Sequence, residues 1–209
     1  MYAKFFKRPL DFILSLLALI VLSPVLLLLT VIGAIQMQGN PFFTQERPGR
    51  NEKIFKLIKF RSMTNEKDKD GNLLPDHMRL KRYGLFIRSA SLDELPELIN
   101  ILKGDMSIVG PRPLLVKYLD RYTPEQHRRH EVRPGLTGLA MATVRNSAGW
   151  DKKFELDIKY VDNISFLMDL KIIFWTIAIV FKREGINEPG EATNSEFMGI
   201  LAEKKSEEV

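Results

Sequence analysis

The sequence has no cysteine. That removes disulfides, thiolate zinc sites and a cysteine nucleophile together, leaves oxygen and histidine as the metal donors, and is compatible with a cytosolic redox setting. Histidine is scarce as well: His77, His127 and His130 are the three in 209 residues, and their spacing is not that of a metal site. There is no phosphate-binding GxxxxGK[ST] loop, no dinucleotide glycine fingerprint, no nucleophile elbow and no internal repeat. Charge is missing altogether from Phe12 to Gln36.

What is present is one domain's worth of chain with extras at both ends. The net charge is +5, and the stretch from Ile186 to Val209 holds six acids against Lys204 and Lys205, which leaves the rest at about +9. A basic body of that size suits nucleic acid, anionic lipid or phosphorylated small molecules, and the sign alone does not choose among them.

Lys4, Lys7 and Arg8 precede the uncharged run, which is the pattern of a membrane segment. It is long for the apolar core of a signal peptide and lacks a small-x-small cleavage site after it. Some 24 helical residues rise about 36 Å, enough for a hydrocarbon core of about 30 Å. Pro24, preceded by Ser23, sits mid-run, where it removes a backbone hydrogen bond and kinks a helix. Each arm is then about 18 Å, the depth of one leaflet. The basic flank favours a cytoplasmic N-terminus, so a simple span would export the rest of the chain, whereas a re-entrant helix–break–helix would not. A kinked spanning helix satisfies the same hydropathy, and both topologies stand on these residues alone.

Beyond it, "NPFFTQERPGRNEKIFKLIKFRSM" reads as two short strands around a Pro48-Gly49 turn. "TNEKDKDGNLLPDHMRL" is a polar loop whose Asp68, Asp70 and Asn72 hint at a calcium loop, but Gly71 falls at position four and Arg79 stands where the bidentate Glu belongs. Residues 81–103 read as helical, stopped by Gly104. "TPEQHRRHEV" is a short helix with a Thr123/Gln126 capping box. "RPGLTGLAMATVRNSAGW" is a glycine-punctuated loop or edge strand, and Trp150–Tyr160 is helical. Leu170–Phe181 is too short to span and reads either as a core helix or as one lying in the membrane plane.

"SASLDELPELINILKG" places Leu92, Leu95, Ile99 and Leu102 on one helical stripe. Asp93, Glu94 and Glu97 then lie off it, and Ser91 with Glu94 matches a capping box. Downstream, Arg112 stands between Pro111 and Pro113. Two prolines restrict the backbone on both sides and present a planar guanidinium suited to phosphate at small ordering cost. Lys59, Arg61, Arg133 and Arg145 occupy similarly stiff settings. Each feature alone fits a helix start, a stiff turn or a solvated charge. Together they describe a site holding phosphates beside carboxylates, where Mg²⁺ is the natural mediator and a carboxylate is a possible nucleophile. A leaflet-deep apolar segment suggests that one substrate is a lipid phosphate.

On these residues the chain closely resembles the bacterial sugar transferases, the small monotopic phosphoglycosyl transferases of the PglC type. The matching features are Ser23-Pro24, "FTQERPG", "KIFKLIKFRSM", "SLDELPELINILKGDMSIVGPRPL", "RPGLTG" and "DLKIIFWT", between Lys4 and Gly185. The resemblance implies that Asp93 attacks the β-phosphate of a UDP-sugar, releases UMP and passes the phosphosugar to undecaprenyl phosphate. It further implies that Glu94 assists as acid/base or metal partner, that Asp93 and Glu94 hold Mg²⁺ and that Arg112 binds phosphate. Lys59, Arg145, Asp157 and Arg133 are expected in the same site, with Pro111 and Pro113 beside it.

The implied fold is α+β, mainly α: a re-entrant membrane segment (1–39) broken at Ser23-Pro24, a cytoplasmic catalytic domain with a β-hairpin and interfacial amphipathic helices (40–185), and a flexible acidic tail (186–209). The implied partners are UDP-sugar, undecaprenyl phosphate and the bilayer at the cytoplasmic face of the inner membrane, not nucleic acid. One departure stands out. Where the family commonly reads "GLTGWAQVNGRN" this chain has "GLTGLAMATVRN", so the resemblance does not carry the nucleotide and sugar contacts of that loop, and the sugar, the glycan and the oligomeric state stay unassigned. A basic adaptor that binds anionic lipid, or a lipid-diphosphate hydrolase, is the competing reading.

Overall fold

The computed structural model describes residues 1–144, 148–182 and 196–199. The described residues form a mainly helical α+β fold built around a long N-terminal apolar helix. A π-turn over Tyr2–Phe6 leads into α1 (Lys7–Gln36). The helix spanning Tyr2–Gln36 is the one, among the described residues, long and apolar enough to cross a membrane. The expected break at Ser23-Pro24 is corrected: α1 runs as one helix through Pro24. A local device makes this possible. Pro24 cannot donate to the carbonyl of Ile20, four residues back, and the Ser23 hydroxyl donates to that carbonyl instead, at 2.8 Å.

The rest of the fold docks on one side of α1 by polar contacts at its start and apolar contacts along its length. Arg8 donates to the carbonyls of Ile101 (2.6 Å) and Leu102 (2.8 Å). The Asp11 carboxylate, buried, accepts from the Ser107 hydroxyl at 2.7 Å and from the Ile108 N–H at 3.1 Å. Lys7 pairs with Asp169 at 2.6 Å, and the Asp169 carboxylate also accepts from Tyr2 and Tyr160 at 2.7 Å each. Further along, Ala18, Leu19 and Leu22 pack on the Phe55–Leu57–Leu98–Ile101–Met106 cluster. Near the far end Leu29 packs with Phe60 and Ile87, and Tyr83 donates to the Leu29 carbonyl at 3.3 Å. The opposite face of α1 leaves Leu17, Ile20, Val21, Leu27 and Leu28 exposed.

Two small sheets follow. β1 (Phe42–Pro48) and β2 (Ile54–Phe60) pair antiparallel from Phe42 opposite Phe60 to Pro48 opposite Ile54. The hairpin expected from sequence is present, but its connection runs from Gly49 to Lys53, with Asn51 and Glu52 at φ of +53° and +61°. β3 (Ser107–Val109) and β4 (Gly135–Thr137) pair parallel. Their crossing is close: a Cβ on Gly135 would stand 2.1 Å from the Gly110 nitrogen, so this position admits no side chain.

The helices between and after the strands are α2 (Asp76–Arg79), α3 (Arg82–Ser89), α4 (Glu97–Lys103), α5 (Pro124–His127), α6 (Leu139–Thr143), α7 (Trp150–Asp162) and α8 (Phe166–Lys182). The Thr123/Gln126 capping box forms in full, and Gly104 caps α4 at φ +90°. The single helix expected over 81–103 does not form. Ser91 turns left-handed at φ +53°, Pro96 cannot donate to the preceding turn, and a 3-10 turn over Leu92–Glu94 separates α3 from α4. The break shifts the helical phase, so Leu98 and Ile101 are buried with Glu97 and Asn100, while Ile99 of the expected stripe is 36% exposed. Asn100 pins α4 to β2: its side chain accepts from the Ile58 N–H at 3.0 Å and donates to the Lys56 carbonyl at 2.8 Å.

α8 divides its two expected readings between two faces. Ile172 is fully buried against β3, α6 and α7, whereas Phe166, Leu167, Phe174 and Ile177 are exposed. Of the expected tail, only 196–199 fall among the described residues.

Asp11→Ala strips two donors of their buried acceptor. It is expected to cost about 2–3 kcal/mol of stability and several degrees of Tm in detergent-solubilised protein; an unchanged Tm contradicts the docking role assigned to this carboxylate.

Candidate active site

The break between α3 and α4 decides where the acids point. Ser91 makes no side-chain cap, so the expected capping box with Glu94 is absent and the Glu94 carboxylate is free to turn outward to cations. Lys59, from β2, lies 2.8 Å from Glu94 Oε1 and 3.0 Å from Glu97 Oε1. Arg112 Nη2 reaches the same Glu94 oxygen at 3.2 Å. Pro111 and Pro113 are buried while Arg112 between them is exposed, the arrangement that a stiff loop presenting one guanidinium requires.

The cleft at this point is lined by Arg47, Lys59, Glu94, Glu97, Arg112 and Pro113, with Leu57, Leu114, Gly135 and Leu136 as its apolar part. Asp93 sits on the same 3-10 turn, within the fields of Lys59, Arg88 and Arg112. Burial, with the charge of Glu94 beside it, pushes the Asp93 carboxyl up to about 6 against the pull of those cations. Burial acts on Glu94 in the same direction, but Lys59 and Arg112 overcome it and hold that carboxyl down to about 2. Burial, opposed by Lys59 and reinforced by Glu94, pushes Glu97 up to about 7. Three neighbouring acids thus titrate apart, the pattern of a site with divided roles.

The structure brings together four of the residues singled out in sequence: Lys59, Asp93, Glu94 and Arg112. Asp157 stands one layer behind. It is buried and binds Arg129, also buried, through Nη2 at 2.7 Å and Nε at 3.1 Å. Arg129 in turn donates from Nη2 to the Arg112 carbonyl at 2.7 Å. Asp157 therefore fixes the backbone of the Arg112 loop and does not face the acids. Arg133 is also not in the cleft: its Nε donates to the Gly104 carbonyl at 2.8 Å, on the side where Arg8 caps α4, because the close β3–β4 crossing carries it there. Arg145 lies outside the described residues. Ser23 and Pro24 lie in α1.

Four further residues belong to the site or its support, and of these sequence marks Glu97 alone, as an acid off the apolar stripe. Arg47 enters the cleft from the end of β1, where burial and the nearby Arg112 bring its guanidinium down to about 10. It makes no ion pair with any described residue; Nη2 donates to Gln45 at 2.7 Å, and its Nε is buried without a hydrogen-bond partner. A cation so placed, facing another, marks a position for an anion. Arg88, which donates to the Ser62 hydroxyl at 2.8 Å, lies close enough to Asp93 for each to perturb the other. Glu97 and Arg129 complete the set. The ERPG segment was visible in sequence, but nothing in its spacing marked Arg47 above Arg50 or Arg61. Met141 lies in the segment that departs from the family pattern, which forms α6 rather than the expected loop or edge strand, and its thioether stands 3.3 Å from Arg112 Nη1.

Among the described residues no three His, Asp or Glu side chains form a ready-made metal cage. Asp93 and Glu94 still fit Mg²⁺, which takes one or two carboxylates and completes its shell with water and substrate oxygens.

Residues 2–183 match the family model described as bacterial sugar transferase. The chain is 49% identical over 193 residues to the uncharacterized sugar transferase EpsL of Bacillus subtilis, covering 92% of this chain and 96% of that protein. It is 36% identical over 202 residues to an undecaprenyl-phosphate galactose phosphotransferase of Salmonella typhimurium, covering 88% of this chain and 42% of the relative. It is 40% identical over 187 residues to a UDP-glucose:undecaprenyl-phosphate glucose-1-phosphate transferase of Klebsiella pneumoniae, covering 82% of this chain and 39% of the relative. The chain thus spans nearly all of the first and about two fifths of the other two.

Asp157→Ala leaves Arg129 as an unpaired buried charge and is expected to cost about 3–5 kcal/mol in chemical unfolding. Replacing both partners, Asp157→Leu with Arg129→Met, is expected to recover most of that loss; equal losses in the two variants contradict the ion-pair assignment.

Proposed function

The chain belongs to the bacterial sugar transferase family, and from that membership and the cleft geometry we propose that it moves a phosphosugar from a UDP-sugar to undecaprenyl phosphate, opening the membrane stage of a glycan's assembly. The observation that carries the proposal is a cleft lined by Glu94, Lys59, Arg112 and Arg47, with Asp93 on the turn beside it and within the fields of Lys59, Arg88 and Arg112. Carboxylates repel phosphates, and such a site is productive only when cations outweigh the acids and one acid has a reason to approach phosphorus.

The Asp93 carboxylate, ionised near neutral pH, attacks the β-phosphorus of the UDP-sugar. The bond from that phosphorus to the bridging oxygen breaks, and UMP leaves with that oxygen and its electron pair. A phosphate oxygen of undecaprenyl phosphate then attacks the same phosphorus, the acyl-phosphate bond breaks, and Asp93 recovers its carboxylate as the polyprenyl-diphospho-sugar departs. Arg112 and Arg47 hold phosphate oxygens from opposite walls. Lys59 keeps Glu94 ionised and aimed at the same space. Asp93 and Glu94 would hold Mg²⁺, which supplies charge neutralisation at the phosphates when bound. Glu97, pushed up to about 7, adds no second full negative charge beside Glu94 at neutral pH.

The proposed topology is re-entrant, with the body on the cytoplasmic face. Supporting it, the body contacts α1 near both of its ends, through Lys7, Arg8 and Asp11 at one and Leu29 at the other. A helix crossing about 30 Å of hydrocarbon would put those ends on opposite sides. The exposed apolar faces of α1 and α8 are the surfaces such a body would give to lipid.

Incubation with a panel of UDP-sugars, Mg²⁺ and undecaprenyl phosphate is expected to release UMP with at least one donor. Asp93→Asn should lower that rate about a thousandfold or more, and intact mass after UDP-sugar alone should show a phosphosugar adduct on the unmodified chain only. Lipid-independent hydrolysis, or no UMP from any donor, overturns the transferase reading. For the topology, cysteines introduced at Lys4 and Asn40 are expected to label from the same side of sealed vesicles; labelling from opposite sides restores a spanning helix.

A further inference from the structure

Of the stretch beyond α8, four residues are described, Glu196 to Gly199, and they are seated in a specific place. Phe197 is fully buried. Its ring meets Phe154 at 5.0 Å and Tyr118 at 5.7 Å, both edge to face, tilts against Trp150 at 5.6 Å and stacks on Tyr122 at 5.9 Å. These are preferred aromatic geometries on four sides of one ring. The Phe197 N–H donates to the Tyr118 hydroxyl at 3.2 Å. The residue before it is matched as well: the Glu196 carboxylate lies 2.5 Å from Lys117 Nζ and 2.8 Å from Arg121 Nη1, and Arg121 also donates to the Phe197 carbonyl. An acid followed by an aromatic thus finds two cations beside an aromatic cage.

The cage is one contact away from the machinery behind the cleft. Tyr122, under the Phe197 ring, accepts from Arg129 Nη1 at 3.3 Å. The Arg129 guanidinium lies over the rings of Tyr122 and Phe154 at 5.7 Å and 5.5 Å, and both rings touch Phe197. From its remaining donors Arg129 holds the Arg112 carbonyl.

We propose that Glu196-Phe197 is an intramolecular docking motif that positions Arg112 by bracing the Tyr122 and Phe154 rings that hold Arg129. The role of Arg112 rests on the transferase reading above, while the docking does not. Phe197 touches no substrate; it is a positioning residue. Without its ring the cage has a void beside Tyr122 and Phe154, the two rings gain freedom to tilt, and the guanidinium that fixes the Arg112 carbonyl loses its platform. Glu196 selects the register of the segment by its charge.

The test uses the full chain in detergent or nanodiscs and has two arms. In a Trp175→Phe background, Trp150 is the sole tryptophan, and Phe197→Ala is expected to shift its emission to the red. A peptide of residues 194–201 should reverse the shift, and the same peptide with alanine for Phe197 should not. No response of Trp150 overturns the docking. In the second arm, UMP release is measured for Phe197→Ala, Arg112→Gln and the double variant below the Tm of each. Phe197→Ala is expected to lower kcat/KM about tenfold in the otherwise unmodified chain and less than twofold when Arg112 is already Gln, since its effect runs through Arg112. Phe197→Leu, which keeps most of the apolar volume, should recover most of the loss. The same fold-loss in both backgrounds overturns the positioning role and leaves docking as a matter of stability alone. Failure of the transferase reading appears separately, as no UMP from the unmodified chain, and then the Trp150 arm alone decides the docking.

Discussion

The Lys59 amine, 2.8 Å from Glu94 and 3.0 Å from Glu97, sets the condition for everything around it. Three acids within five residues would not be tolerated in a half-buried cleft unless a cation stood among them. Lys59 is carried there by β2, and β2 is carried by Asn100 of α4, which accepts from and donates to its backbone. The strand that delivers the cation and the helix that begins with Glu97, directly after the turn bearing Asp93 and Glu94, are therefore tied by one side-chain amide. Burial works against the charge on Lys59, and the two glutamates more than compensate, so the amine stays charged in this setting.

The site also depends on the long apolar helix α1. β3 leads directly into the Pro111–Pro113 loop, and β3 is hydrogen-bonded to Asp11 through Ser107 and Ile108. α4 follows the acids, and its last carbonyls are held by Arg8. Both halves of the cleft thus take their position from the first two turns of α1. The apolar helix is part of the scaffold of the site, and removing it would take the Asp11 acceptor from Ser107 and Ile108 and the Arg8 donors from the Ile101 and Leu102 carbonyls.

Much of this was legible in the residues. The apolar run, the hairpin, the Thr123 capping box, the Gly104 stop, α7 and the grouping of Lys59, Asp93, Glu94 and Arg112 all rest on patterns that are local or that the family resemblance supplied. What escaped depends on tertiary placement. An apolar stripe at Leu92, Leu95, Ile99 and Leu102 is good helical periodicity, but Ser91 in a left-handed conformation and Pro96 without an N–H reset the phase, and that choice is stabilised by Lys59 and Arg112, which are distant in sequence. Arg47 looks like any solvated arginine in sequence, because its lack of an ion-pair partner among the described residues is visible only once the cleft has walls. Asp157 is expected in the site through the family resemblance alone, whereas its contact is with Arg129, which no local pattern marks. Arg133 next to a Pro-Gly pair looked like a second clamp, and the direction of the strand crossing sends it the other way.

The Ser23 hydroxyl on the Ile20 carbonyl gives the pair Ser23-Pro24 a direction in time. A lineage that loses Pro24 first regains the backbone hydrogen bond, after which Ser23 is free to drift. A lineage that loses Ser23 first leaves the Ile20 carbonyl without either donor, a cost that is greatest in the proposed lipid setting, where no water would replace it. The two positions are therefore not exchangeable as mutational steps: proline can be abandoned before serine, and acquired only after it.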